Sequence, residues 1–497
     1  MSLADALCAQ SWATLGQNEC YLTHNIGASS CKEVMSERIA SLLEAYLEAA
    51  CRKRANDRSG KNHHHHATTS PHTSSNHGEK SLLSIQVKNQ LRQYVKRIAS
   101  MYRSVHYHSF EHASHVSLAA NKLMLCIHEG HRDSVTDRQT SCRQNPDDSS
   151  RNSNKPNGLL PLSTDPMLHF AMVFSGLIHD VDHYGVPNAV LVKEEHPLAL
   201  KYENISVAER NSIDIAFEVL KEPAFDALRK AMFPKDCKRC SSSSSNSAYK
   251  EFYDVVNELV LCTDIASRER QDCCRRRFLE SFEQSAGART SCSSNATADT
   301  VDLLQDIMTE NENQKMKNRC FPLRAMRLNQ NKCMQRWRKQ NRHCPPKEDA
   351  SCRSRRMSVM EQMIQTADVA HCMQSWDVFL KWNARLFNEL MFTFYAGRSF
   401  DPRTNWFEGQ IGFFNGYIIP LAERLEQCGV FGDNSGMFLE LARENKFRWE
   451  LEGPAFCDKL TAEAERNFDV ASNRPESANV TPKYAPATCC GSGDTAR

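Results

Sequence analysis

The stretch Gly176-Leu177-Ile178-His179-Asp180-Val181-Asp182-His183-Tyr184-Gly185 decides how this chain is read. An adjacent His-Asp pair offers a nitrogen and an oxygen to two neighbouring metals. His183 follows His179 by four residues and shares its face on a continuous helix. Leu177 and Ile178 anchor the pair in a core. Asp182 precedes a turn that Gly185 and Pro187 can make.

Three further segments belong with it. Upstream stands Tyr107-His108-Ser109-Phe110-Glu111-His112-Ala113-Ser114-His115. On a helix His108 and His112 share one face, which then carries a metal ligand and a separate acid/base imidazole. Downstream, Leu261-Cys262-Thr263-Asp264 closes an apolar helix, and Gln365-Thr366-Ala367-Asp368-Val369-Ala370 sets a carboxylate among apolar neighbours. Such a carboxylate is costly to bury unless it is paired or bound to metal. Asp368 closes a set with His112, His179 and Asp180. Mixed nitrogen and oxygen ligands suit zinc in one position. A neighbour richer in water and carboxylate suits magnesium or manganese.

Around these motifs the text is helical and strand-like alternation is nearly absent. Ala40, Leu42, Leu43, Tyr46 and Leu47 form an apolar stripe within 32–53. Leu83, Val87, Leu91, Tyr94, Val95 and Ile98 recur at three- and four-residue steps. A helical pattern resumes at Pro166, and the last strong blocks are 357–395 and 406–447. The expected architecture is one all-α catalytic domain over 80–450, interrupted by polar inserts near 131–158, 234–248, 267–300 and 315–356. Residues 1–79 read as a helical segment and polar linker, including the His63–His66 run. Residues 451–497 read as a largely loose extension.

The chain has 497 residues, with 62 Lys+Arg against 60 Asp+Glu, a net charge of +2. That balance argues against a DNA or RNA partner. Only 40% of the residues are hydrophobic, too few for a core running the whole length. No apolar run reaches the roughly 18 residues of a membrane span. The start, MSLADALCAQSW, lacks the basic-then-apolar order of a cleaved secretory leader, so the cytoplasm is the expected location. The 21 cysteines, an odd number without finger spacing, read mostly as free thiols in a reducing compartment. Residues 315–343 hold ten Lys/Arg and no acid. They read as a solvated insert, as a contact for an acidic or calmodulin-like regulatory protein, or as a contact for an anionic membrane surface. The amino-terminal helix leaves a homodimer open.

Taken together, Tyr107-His108-x-x-x-His112-Ala113, His179-Asp180-Val181-Asp182-His183-x-Gly185-Val186-x-Asn188, Thr263-Asp264 and Ala367-Asp368 resemble the class I cyclic-nucleotide phosphodiesterase catalytic domain, an HD-type helical fold. Trp382, Arg385 and Glu389 resemble its late core helix. Gln410-Ile411-Gly412-Phe413-Phe414 resembles its nucleotide-pocket segment. The resemblance implies hydrolysis of cAMP and/or cGMP to the 5'-monophosphate by a metal-bridged hydroxide. It implies His108 as general acid, and His112, His179, Asp180 and Asp368 as ligands of a first, zinc-like metal. Asp180 would also reach a second metal, magnesium or manganese. His183 and Glu209 would support the metal centre from behind, Gln410 would bind the purine edge, and Phe413 would stack on the base.

The chain departs from the family pattern at several points. Glu209-Arg210-Asn211-Ser212 stands where two histidines usually follow the acid. His115 replaces an aspartate, Tyr184 a proline and Thr366 a histidine. The histidine usually found shortly after Thr263-Asp264 is missing, with Arg268 nearby. These changes spare the expected first-metal ligands. They imply a weaker second metal or an altered rate, with Asn211 able to bond a metal water. Two rival readings remain: another HD-type phosphohydrolase, against which the Gln410–Phe413 segment argues, and a nonenzymatic cyclic-nucleotide-binding regulatory protein.

Overall fold

Helix formation begins where the apolar stripes predict it. In the computed structural model the described residues are Trp12, 28–60, 81–141, 162, 164–234, 247–282 and 350–472, and all their regular structure is helical. Helix α1 (Ala28–Gly60) buries Ala40, Leu42, Leu43 and Leu47. Helix α2 (Ile85–Met101) starts at Ser84, whose hydroxyl accepts from the Val87 amide at 3.3 Å. It buries Val87, Leu91, Tyr94, Val95 and Ile98. The α1 stripe joins the same hydrophobic core as α2.

Helices α3 (Phe110–Ser141) and α4 (Pro166–Ile178) form the centre. Asp165 caps α4 and Pro166 occupies its first turn. Residues 168–178 are buried on every side, as an uncharged central helix requires. Gly176 permits the close approach of α3: a Cβ there would stand 3.0 Å from the Ser117 backbone. The short helices α5 (Asn188–Lys193) and α6 (Pro197–Lys201) lead into α7 (Val207–Lys221) and α8 (Asp226–Met232). Helices α9 (Ser247–Leu261) and α10 (Arg268–Phe282) precede α11 (Ala350–Asp368), which packs on α3 and α4. Then come α12 (Trp376–Tyr395), α13 (Trp406–Phe413), a π-helical turn (Phe414–Ile418), α14 (Ile419–Gln427) and α15 (Met437–Ser472). Pro420 lacks an amide N–H for the carbonyl of Gly416, and the wide turn lies just before it.

Several helices run into the segments read as polar inserts. Helix α3 continues to Ser141, eleven residues into 131–158, and α9 begins at Ser247. The expected insert 267–300 contains α10, whose Cys274 and Phe278 are buried. Its charge-rich sequence hides this narrow stripe, and Arg277 pairs with the buried Glu361 of α11. Helix α11 starts at Ala350, within the expected insert 315–356. The 451–497 extension is helical as far as Ser472, with Leu460 and Ala464 in the core. The basic stretch 315–343 and His63–His66 lie outside the described residues.

Candidate active site

The His-Asp pair leaves its helix where it matters. Helix α4 ends at Ile178, and His179 is its C-terminal cap. The chain then turns through Asp182, at φ +63°, and Gly185, at φ +68°. Aspartate tolerates this left-handed region better than most residues. Its carboxylate is pinned by Arg103 Nε at 2.8 Å and Asn211 Nδ2 at 3.2 Å. His183 therefore does not continue the His179 face along a helix. Likewise α3 begins at Phe110, so His108 precedes the helix that carries His112. The turn, in which Ser109 N–H donates to Tyr107 O at 2.6 Å, separates them. Tertiary packing restores the grouping: the His108 and His183 rings stack with centroids 3.8 Å apart.

Two groups of possible metal donors share Asp180. Donor atoms of His112, His179 and Asp180 lie within 4.8 Å of one another, and so do those of His108, Asp180 and His183. Asp368, at the end of α11, joins the first group, with Oδ1 3.0 Å from His112 Nε2 and 3.4 Å from His179 Nε2. His112 and His179 are essentially inaccessible to solvent.

These residues fit a pair of divalent cations. His179 Nδ1 lies 2.9 Å from the Gly176 carbonyl, which fixes the proton there and turns the lone pair of Nε2 inward. That Nε2 and Asp180 Oδ2 are buried without a hydrogen-bond partner, although they approach to 3.0 Å. Unpartnered polar atoms at such depth are expensive, and a cation between them would satisfy both.

The electrostatics fit the same arrangement. Burial alone would raise the carboxyls of Asp180 and Asp368, but the neighbouring histidines hold both below the usual carboxylate range. Burial also acts to lower His108. The charges of Glu389 and Asp180 outweigh it and raise the imidazole to about 9. Burial and the charge on His108 push His183 down to about 4. Burial and the Asp264 carboxylate push Glu209 up to about 8, with Asn188 Nδ2 donating to it at 2.9 Å.

Sequence reading assigned Glu389 only to a late helix. The structure sets its buried carboxylate against His108 Nδ1, and against the backbone amides of Tyr107 (2.7 Å) and His108 (3.1 Å). No local pattern marks it, because the partner is hundreds of residues away. His371, which no local pattern marks either, is buried, with its ring 5.9 Å from Tyr107 and 6.3 Å from Trp382. Gln410 is buried on α13. Phe413 is partly buried and stacks on Tyr417 at 5.5 Å. The Tyr417 hydroxyl donates to Gln365 Oε1 at 3.3 Å, three residues before Asp368.

A family model described as 3'5'-cyclic nucleotide phosphodiesterase matches residues 107–431. The chain belongs to this family. Among curated relatives, the probable 3',5'-cyclic-AMP phosphodiesterase pde-4 of Caenorhabditis elegans is 24% identical over 176 residues. The match covers 35% of this chain and 19% of that protein. The cGMP-specific 3',5'-cyclic phosphodiesterase alpha of Plasmodium falciparum (isolate 3D7) is 25% identical over 139 residues, covering 28% of this chain and 11% of that one. This phosphodiesterase-family chain thus spans less than a fifth of the length of either relative. The solved structure of LmjPDEB1 in complex with IBMX shares the fold, with a TM-score of 0.51 and 16% identity. That likeness covers 90% of this chain and 94% of the other.

Proposed function

We propose that this chain hydrolyses the 3' phosphoester bond of cAMP and/or cGMP, releasing the nucleoside 5'-monophosphate. The observation that carries the reading is Asp180, shared by two histidine groups, one of which includes the Glu389-bound His108. Membership of the phosphodiesterase family supports it, as do relatives named for cyclic AMP and cyclic GMP. The catalytic unit is assigned to 80–450, with α1 packed into the same core.

In this reading His112, His179, Asp180 and Asp368 hold the first metal, assigned as zinc for its mixed donors. Asp180 also serves the second, assigned as magnesium or manganese, with Glu209 supporting its waters. When bound, two such cations activate a shared water and neutralise phosphate oxygens. His108 donates a proton to the leaving 3' oxygen, and Glu389 keeps its imidazole charged and oriented. His183 stacks on His108 and stays neutral, so the acid is the only charged ring of the pair. Gln410 donates to and accepts from the purine edge, and Phe413 stacks on the base. The same reading assigns the chain to the cytoplasm. Among the described residues no helix is long and apolar enough to cross a membrane.

The test is turnover of cAMP and cGMP by purified protein with added magnesium or manganese. A folded, metal-loaded wild type that turns over neither would sink the proposal. Turnover of noncyclic nucleotides alone would favour another phosphohydrolase, and tight binding without turnover a regulatory protein.

A further inference from the structure

Asp368 ends α11, and the loop just beyond it, a 3-10 turn over Ala370–Met373, is held from both ends of the described chain. Asn445 Nδ2, on α15, donates to the carbonyls of Cys372 (3.0 Å) and Gln374 (2.8 Å). Between them, the Met373 carbonyl accepts from the indole N–H of Trp12 at 2.6 Å. Trp12 lies 361 residues away in sequence. Both side chains are 2% exposed. The Trp12 ring stands edge-on to Phe438 of α15, with centroids 5.0 Å apart. Three consecutive carbonyls are thus held by two side chains foreign to the loop.

The loop's own side chains reach the proposed metal centre from a second direction. His371 faces Tyr107 and Trp382, and the His112 ring also packs on Trp382, at 5.4 Å. Gln374 Oε1 lies 3.0 Å from His115 Nε2. His115 sits three residues after His112 on α3 and stacks on Trp382 at 5.4 Å. A shift of the loop therefore acts on Asp368 through the chain and on the His112 helix through Gln374 and His115.

We propose that Trp12 and Asn445 form a clamp that positions Asp368 and His112, making Trp12 part of the support of the metal centre. The proposal rests on the metal-ligand reading given above. Both are positioning residues, since each acts through the 370–374 loop. The residue types suit the task. An indole supplies one donor on a rigid ring, and an amide nitrogen supplies two donors for two carbonyls. Losing either leaves a buried carbonyl without a partner, and the loop relaxes to recover one.

The experiment uses the full chain as wild type, Trp12→Phe, Asn445→Ala and, as a control, Leu460→Ala. Leu460 is a buried core residue of the same long helix, α15. Zinc affinity is read by competition with a chelator, alongside melting temperature, kcat and KM. Trp12→Phe keeps an aromatic ring against Phe438 and removes only the N–H. It is expected to weaken zinc binding and lower kcat about tenfold with KM unchanged. Leu460→Ala is expected to lower the melting temperature at least as much while leaving zinc affinity unchanged. Wild-type zinc affinity in Trp12→Phe, or an equal loss in Leu460→Ala, would overturn the clamp. If Asn445→Ala does not fold, Trp12→Phe decides alone. If the wild type binds zinc but turns over no cyclic nucleotide, the proposed function fails and the zinc measurements still decide the clamp.

Discussion

Glu389 binds the imidazole of His108 across 281 residues of sequence, and the same carboxylate collects the amides of Tyr107 and His108. One acid thereby orients a loop and sets the charge of a ring. Burial by itself raises the Glu389 carboxyl, but the charge and hydrogen bond of His108 hold it down at about 2. The two groups are oppositely charged between about 2 and about 9.

That pairing predicts a pH profile. His108 is raised from an ordinary value of about 6.5, so its protonated form persists through neutral pH and is lost as pH rises through about 9. In the metal-free protein its stabilising contribution is complete below about 6.5 and lost over the same rise. Glu389→Gln removes the charge that raises His108. The alkaline limb of kcat against pH should move to lower pH, with kcat at pH 8 reduced by about 100-fold. An unmoved alkaline limb would count against His108 as the acid.

Asp180 and Asp368 should differ in metal content. Asp180 belongs to both donor groups, whereas Asp368 approaches only the His112 and His179 side. Asp180→Asn is expected to lose both metals, and Asp368→Asn to weaken the first, each reducing activity about 100-fold or more. Elemental analysis of dialysed protein gives the stoichiometry. Chelation of the wild type should abolish turnover, and zinc with magnesium should restore it.

Arg277 tests whether α10 belongs to the core. It pairs with Glu361, whose side chain is 1% exposed, and approaches Glu258 at 3.4 Å. Arg277→Met strands the Glu361 carboxylate and should cost about 2–4 kcal/mol, discounted because Arg277 keeps some contact with water. Arg277→Met combined with Glu361→Met should recover most of the loss. Urea unfolding of the two variants provides the comparison. An unchanged midpoint in the single variant would return α10 to the status of an insert.

Gly176 sets the distance between the two central helices. A methyl group there meets the Ser117 backbone at 3.0 Å, and backbone cannot rotate out of the way. Gly176→Ala should cost about 1–3 kcal/mol. It should also weaken metal binding, because α3 carries His112 and α4 delivers His179. Thermal unfolding and zinc titration of the same variant check both effects.

The all-helical class follows from local periodicity, and so do the buried faces of α1 and α2, because one apolar stripe in a single stretch is enough to set them. The His-Asp text and the histidines before it announce metal chemistry for the same reason: the donor types are visible one residue at a time. Local text failed where the backbone stops being helical. His108 lies before α3, and His183 lies beyond a left-handed turn at Asp182. Their stacking comes from packing, not from a shared helical face. It failed again in α10 and in the part of α15 beyond 450, where dense charge hides the buried Cys274, Phe278, Leu460 and Ala464. Glu389 against His108, Arg277 against Glu361, and Trp12 on the Met373 carbonyl are contacts between residues 84 to 361 apart. Only the folded chain brings such partners together, because nothing in the residues around either one specifies the other.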